Sequence, residues 1–159
     1  MSGAVEPPRE ERPVTAIEDL VGLADLVSVR WYEVSGRRAE DGDPAAKLPE
    51  RTDLNLAVLE HHSPEQLEAR FKATATGPEA DFTVDFSILY RFDGTIDPSA
   101  AVVREFLEKV AVMAAWPFLR EAVATTAARM ELPIPVLGLM KQGAFSLDDS
   151  IDMDEVAES

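Results

Sequence analysis

The side chains that most often carry catalysis are scarce in this chain and poorly spaced for it. The two histidines, His61 and His62, are adjacent, and there is no cysteine. Adjacent residues of a strand point to opposite faces of a sheet, so a single site rarely uses both. A structural zinc site needs four ligands, mostly Cys and His, at characteristic spacings. We therefore expect a solvated histidine pair at the end of a strand, with no metal and no cofactor.

The remaining polar motifs also favour structural roles over catalysis. Asp85 is expected to oppose Lys72 or Arg70 across a hairpin, as a charge pair on the polar face of a sheet. Arg120 and Glu121 follow a proline in a predicted helix, where an arginine serves more often as a clamp between helices or subunits than as a catalytic cation. The eight glycines are scattered, with no phosphate-binding loop and no nucleophile elbow. The chain is therefore not predicted to be an enzyme.

The charge of the chain limits its partners. Asp and Glu total 30 against 15 Lys and Arg, which gives a formal net charge of −15. Such a surface repels nucleic acid and anionic lipid. It fits general solvation, and it also fits a protein that stays soluble while exposing apolar surface. No stretch approaches the roughly 20 apolar residues of a membrane span, and the N-terminus does not look like a signal peptide, so we expect a cytoplasmic protein.

The hydropathy pattern predicts strands first and helices afterwards. Alternation of apolar and polar residues indicates four strands, at 26–34, 54–58, 67–76 and 82–91, with a long loop between the first two. After Asp97-Pro98, which is typical of a helix start, the apolar residues recur at helical spacing, and Pro117 is expected to divide that region into two helices. This order predicts an α+β fold, in which a four-stranded antiparallel sheet carries two C-terminal helices packed on one face.

The domain boundaries follow from composition. Residues 1–14 are rich in proline and charge and are predicted to be disordered, 15–145 form one folded domain, and 146–159 form a disordered acidic tail.

The most informative stretch runs from Trp116 to Leu139, WPFLREAVATTAARMELPIPVLGL. It contains more apolar residues than a sheet and two helices need for a core. Pro133 and Pro135 keep its end extended, so the apolar side chains there must cover a subunit interface or line a groove.

These residues resemble the SecB family of protein-export chaperones. The family shows an aromatic-Pro-aromatic-x-Arg-Glu run at its helix junction, matched here by WPFLRE, followed by an alternating Leu and Pro exit, matched by LPIPVLGL. The resemblance covers about 27–145, including the predicted hairpins. Met130-Glu131 replaces a glycine, and MKQGAF lacks an Asn-Phe-Asp ending; these changes are similar to divergent actinobacterial SecB-like proteins.

The resemblance implies a homotetramer, a dimer of dimers, whose apolar grooves hold unfolded polypeptides without ATP. The implied partners are unfolded preproteins or an antitoxin, with the export motor SecA as a further candidate and neither nucleic acid nor membrane insertion. Residues Pro117, Arg120 and Glu121 are assigned to structure and subunit contacts. The candidate peptide-binding residues are Phe71, Phe86, Trp116, Phe118, Leu132, Ile134, Leu137, Leu139 and Met140.

Several functions remain open at this point. The first is a general holdase for protein export, and the second is a dedicated chaperone of one antitoxin. The third is a small-ligand-binding α+β domain that uses a cavity between helix and sheet. The fourth is an assembly subunit whose apolar strip is wholly buried in oligomer contacts.

Overall fold

The computed structural model describes residues 3, 10–40, 53–135, 137 and 147. Four antiparallel strands form its main sheet, in the order β2-β5-β4-β3. Their bounds are β2 Ala24–Arg38, β3 Asp53–His62, β4 Gln66–Thr76 and β5 Ala80–Phe92. Strands β3, β4 and β5 form a meander. Strand β2 pairs with β5, although β3 and β4 lie between the two in the sequence. The predicted α+β fold with a four-stranded antiparallel sheet is confirmed.

Alternation along β4 and β5 builds the core. Every second residue of β4, from Leu67 to Ala75, is buried, and so is every second residue of β5 from Ala80 to Phe92. These side chains share one face of the sheet, which the helices cover. Strand β2 is four residues longer at its C-terminal end than predicted, so part of the expected loop is strand.

One helical region follows the sheet, and its division differs from the prediction. It comprises α2 Ala100–Phe106, a π-helical turn Leu107–Ala111, and α3 Val112–Arg129; a short α1, Ile17–Leu23, precedes the sheet. The expected break at Pro117 is wrong, because α3 continues through that residue. A proline inside a helix costs about 3 kcal/mol. Here the buried side chains of α3 on both sides of Pro117, such as Val112 and Leu119, offset that cost by packing in the hydrophobic core.

A second, two-stranded sheet fixes the start of α2. Strand β1, Arg12–Val14, pairs in parallel with β6, Ile96–Pro98. Asp97-Pro98 is therefore strand rather than helix start, and Ser99 caps α2 by accepting the Val102 N–H at 3.3 Å. Because β1 lies within 1–14, the last residues of the segment predicted to be disordered belong to the fold. Most of that segment, and the predicted tail beyond residue 147, lie outside the described residues.

The end of α3 is held against β2. Glu131 adopts φ 57°, in the left-handed region, and the Leu132 N–H donates to Ala127 O at 3.0 Å, which closes the helix in a Schellman-type turn. The Arg38 guanidinium donates to Met130 O.

Within the described ranges, no helix is long and apolar enough to cross a membrane.

Candidate functional site

An apolar strip on β2 lies exposed beside the core. We define the β2 strip as Leu26, Trp31 and Val34, whose relative exposures are 45%, 41% and 44%. Each of the three is paired in register with a buried residue of β5. Those partners are Tyr90, Phe86 and Val84, in the same order. Because directly opposed residues of paired strands lie on the same side, the strip is the uncovered margin of the core face.

The strip is uncovered because β2 lies at the edge of the sheet. Nearly every residue of β2 is exposed, whereas its neighbour β5 is buried along most of its length. Two irregularities in the β2–β5 register, between Leu26 and Ser28 and between Trp31 and Glu33, add one residue each to β2. Such bulges bend and twist a strand. Helix α3 packs against both strands but leaves the outer margin of β2 open.

Four aromatic rings connect the strip to the core. The ring centroid of Trp31 lies 4.9 Å from that of Phe86 and 6.5 Å from that of Phe118 of α3. Phe86 in turn lies 5.4 Å from Phe71 of β4 and 6.4 Å from Phe118. The exposed indole therefore rests on a packed aromatic layer, which gives it a rigid support.

The opposite face of the sheet is polar and closely paired. Arg70 binds Asp85 through two hydrogen bonds, of 2.9 Å and 2.8 Å, so the predicted cross-strand charge pair is confirmed with Arg70. Hydrogen bonding to Asp85 raises the pKa of Arg70 further. The Tyr32 ring lies 4.0 Å from the Arg70 guanidinium, and its hydroxyl donates to Glu68 at 3.3 Å. The side chains of Trp31 and Tyr32 thus lie on different faces of the sheet: Trp31 on the apolar core face and Tyr32 on the charged face.

Sequence comparison identifies a relative that spans nearly the whole chain. The SecB-like chaperone SmegB of Mycolicibacterium smegmatis is 32% identical over 141 residues, which cover 89% of this chain and 92% of the relative. This chain belongs to the SecB-like chaperone family. No family model matches the sequence.

A solved SecB-like chaperone has the same fold. It is the Mycobacterium tuberculosis protein in complex with a ChAD peptide from the HigA1 antitoxin, with a TM-score of 0.67 and 19% identity. The match covers 77% of this chain and 94% of that protein. The predicted resemblance to SecB-like proteins is thereby confirmed.

The peptide-binding residues expected from the SecB resemblance differ in how deeply their side chains are buried. Ile134 is 53% exposed, and Trp116 and Phe118 are half-buried. Phe71, Phe86, Leu132 and Leu137 are buried, so they support a surface rather than form it. Leu139 and Met140 lie outside the described residues. Of the described members, Ile134 and the half-buried aromatics reach the surface; the assignment of the set to peptide binding stays a prediction.

The residues expected to make subunit contacts are all on the surface of α3. Pro117, Arg120 and Glu121 are exposed, and Glu121 accepts a hydrogen bond from the Thr125 hydroxyl at 3.1 Å. They are available for contacts with another subunit of a SecB-like assembly, which stays a prediction.

Sequence reasoning missed the β2 strip. Leu26, Trp31 and Val34 do not stand at alternate positions, and they share a face only because two register shifts each add one residue to β2. The signal that points to exposure is topological. A strand separated from the meander by a long loop is free to join at the sheet edge, where one helix cannot cover it.

Proposed function

We propose that this protein is an ATP-independent holdase that binds apolar segments of unfolded polypeptides at the β2 strip and at Ile134. The observation that carries the proposal is the strip itself: three large apolar side chains are left exposed on the core face beside a rigid aromatic layer. Exposed apolar surface of this kind marks interaction sites. A chaperone needs such a surface rather than a catalytic centre, and no enzymatic role is proposed.

The energetics suit reversible capture. Burying a whole Leu or Val side chain is worth roughly 1.5–3 kcal/mol, so the half-exposed members of the strip contribute about 1 kcal/mol each. The three strip residues and Ile134 together contribute about 4 kcal/mol, so a micromolar Kd, which corresponds to about −8 kcal/mol, also requires the apolar surface that the client itself buries. The formal charge of −15 favours basic clients and makes their association weaker at high salt.

We further propose that the chain assembles as a dimer of dimers. Strand β2 is a 15-residue edge strand, and an open edge of that length is a template for pairing with another chain. Pairing through the backbone edge would leave the strip side chains on their face of the sheet. Light scattering coupled to size exclusion should give about 70 kDa, four copies of the 17.4 kDa chain. A mass of 17.4 kDa at micromolar concentration would overturn this assembly.

A dedicated antitoxin client is the second candidate. It is favoured by the complex of the similar Mycobacterium tuberculosis chaperone with an antitoxin peptide. The two candidates differ in breadth. A general holdase binds many unrelated unfolded chains with similar Kd, whereas a dedicated chaperone prefers one peptide segment by at least about 100-fold, or 2.7 kcal/mol.

Fluorescence anisotropy without nucleotide tests the proposal. Labelled, reduced and alkylated polypeptides of unrelated sequence are titrated with the protein, beside the antitoxin ChAD peptide that is found in complex with the similar Mycobacterium tuberculosis chaperone. Micromolar binding of the unrelated chains supports the general holdase. Selective binding of the antitoxin peptide supports the dedicated chaperone, and binding of neither contradicts chaperone function.

A further inference from the structure

An inserted residue near the start of β2 changes which of its side chains lie on the core face. Alternate residues of a regular strand share a face, so Leu26 would be followed there by Ser28. The register shift between these two residues brings Val29 to the core face instead, opposite the buried Ile88. Trp31 follows two residues later. The insertion thus replaces a polar side chain on this face with apolar ones.

A second inserted residue keeps the face apolar beyond Trp31. In a regular strand Glu33 would be the next residue on the core face. The register shift places Val34 there instead, opposite the buried Val84. The inserted residue, Tyr32, lies on the polar face. Two single-residue insertions therefore bring irregularly spaced apolar residues into one continuous row.

This row has four positions and a defined length. We define the β2 row as the β2 strip together with the half-buried Val29, that is, Leu26, Val29, Trp31 and Val34. Their partners on β5 are two residues apart, so neighbouring positions lie about 6.8 Å apart and the row is about 20 Å long. Beyond one end, Gly36 lies against Met130 of the α3 terminus. Helix α1 immediately precedes the strand at the other end, so the exposed row comprises these four positions.

The spacing of the row matches an extended polypeptide better than a helix. Side chains two residues apart in an extended chain point to the same side and lie about 6.8 Å apart. Four residues on one face of an α-helix, at i, i+4, i+7 and i+11, rise by only about 16.5 Å and do not reach the fourth position. Seven extended residues span the row and place their first, third, fifth and seventh side chains on its four members.

We propose that the β2 row selects extended client segments that carry apolar side chains at four alternate positions. This inference rests on the proposed holdase function and specifies which segments the site prefers. The ring contacts of Trp31 with Phe86 and Phe118 hold the row in place before binding, so its spacing discriminates between clients. The intervening side chains of the client point away from the row. Basic residues are favoured there, because the chain carries a formal charge of −15.

Two labelled peptides of identical composition test the spacing. Each contains a seven-residue core of four Leu and three Lys between Gly-Ser flanks. The two residue types alternate in the first peptide, whereas the four Leu are consecutive in the second, so that only two of them share a side of an extended chain. Fluorescence anisotropy with the full-length protein should give a Kd at least about ten-fold lower for the alternating peptide, because two more side chains reach the row.

Val34→Ser and Val27→Ser form a matched pair of variants. Both valines are 44% exposed, but Val27 is the first inserted residue and has no partner on β5. Val34→Ser should weaken binding of the alternating peptide about three- to ten-fold, whereas Val27→Ser should leave it unchanged. Thermal unfolding verifies that both variants are folded. Equal losses in the two variants would overturn the role of the row.

The peptide comparison separates this inference from the holdase itself. Equal Kd values for the two peptides, or a lower Kd for the consecutive arrangement, would overturn the selection of alternate positions. Binding of neither peptide by protein that binds unfolded polypeptides would overturn it as well, and in each case the holdase function would stand. If the protein binds neither the peptides nor any unfolded polypeptide, the proposed function itself fails.

Discussion

The ring of Trp31 lies 4.9 Å from that of Phe86, yet Trp31 is 41% exposed while Phe86 is fully buried. The pair lies at the boundary between the buried part and the solvent-exposed part of the core face of the sheet. An aromatic contact of this type is worth about 0.5–1.5 kcal/mol beyond area burial. It therefore fixes the indole in place before any client arrives, which reduces the entropy lost on binding.

Trp31→Ser should weaken client binding at least ten-fold, a loss of about 1.4 kcal/mol, because it removes the largest side chain of the β2 strip. Anisotropy with a labelled unfolded polypeptide measures the change, and thermal unfolding verifies the fold. Tyr32→Ser is the matched control: Tyr32 is 46% exposed but lies on the polar face over Arg70. Equal losses in both variants would contradict a binding role for the strip.

Ile134→Asp and Leu137→Asp should separate binding from stability. Ile134 is 53% exposed, so a carboxylate there stays solvated and weakens client capture with little change in Tm. Leu137 is 6% exposed, so its replacement buries a charge and should cost roughly 2–5 kcal/mol of stability. Denaturant unfolding and anisotropy measure the two effects. Destabilisation by Ile134→Asp as large as that by Leu137→Asp would be inconsistent with these exposures.

Glu131→Gly should stabilise the chain by about 1 kcal/mol, which raises Tm by roughly 2–4 °C. The reason is the φ of 57° at Glu131, which glycine adopts without a steric penalty. Glu131→Ala retains a Cβ and serves as the control, with no comparable gain expected. Calorimetry decides between them, and an equal rise in Tm for alanine would show that the backbone conformation is not the cause.

Gly36→Ala should destabilise the chain by roughly 1–3 kcal/mol through overpacking. A Cβ on Gly36 would collide with Met130 and lie 3.0 Å from Thr126 Cγ2 and 3.2 Å from Phe82 Cδ1. Gly22→Ala is the matched control, since a Cβ there meets nothing within 4 Å inside α1, and it should stabilise by up to about 1 kcal/mol. Urea unfolding of both variants measures the difference; a loss of stability in each alike would refute the packing argument.

Tyr90 should make the fold sensitive to alkali. Burial raises its pKa to about 12 from an ordinary value of 10, and its hydroxyl has no hydrogen-bond partner among the described residues. The neutral form is favoured in the folded state, so this contribution to stability is fully present below about pH 10. It is then lost, by up to about 2–3 kcal/mol, as pH rises towards 12.

Tyr90→Phe removes both the ionisation and the unsatisfied hydroxyl. Its free energy of unfolding should be equal to or above that of wild type at pH 7, and it should fall less between pH 10 and 12. Parallel pH profiles for the two proteins over that range would count against Tyr90 as the alkaline-sensitive group.

The sequence predicted the parts of the fold that depend on local periodicity. The faces of β4 and β5 follow from strict alternation, which also predicted that Asp85 pairs with Lys72 or Arg70. The structure pairs it with Arg70, although Lys72 is the residue directly opposite. Periodicity identifies residues that share a face, but it does not say whether a helix covers that face. Trp31 and Phe86 both alternate correctly, and only the position of β2 at the edge separates their exposures.

Long-range packing decided the features that sequence reasoning missed. The pairing of β1 with β6 joins residues more than 80 positions apart and converts Asp97-Pro98 from a helix start into strand. Helix α3 continues through Pro117 because its buried face outweighs the lost hydrogen bond. The hydrogen bond from the Leu147 backbone N–H to the Glu108 carboxylate likewise depends on tertiary structure, and no local pattern indicates it.

Dilution of a chemically unfolded, aggregation-prone protein into buffer, with and without this chain and with no nucleotide, tests the holdase most directly. Light scattering follows the aggregation. The holdase predicts suppression at close to one assembly per client, with suppression reduced by Trp31→Ser and retained by Tyr32→Ser. Aggregation that proceeds as it does with an equal mass of an inert protein would contradict the general holdase.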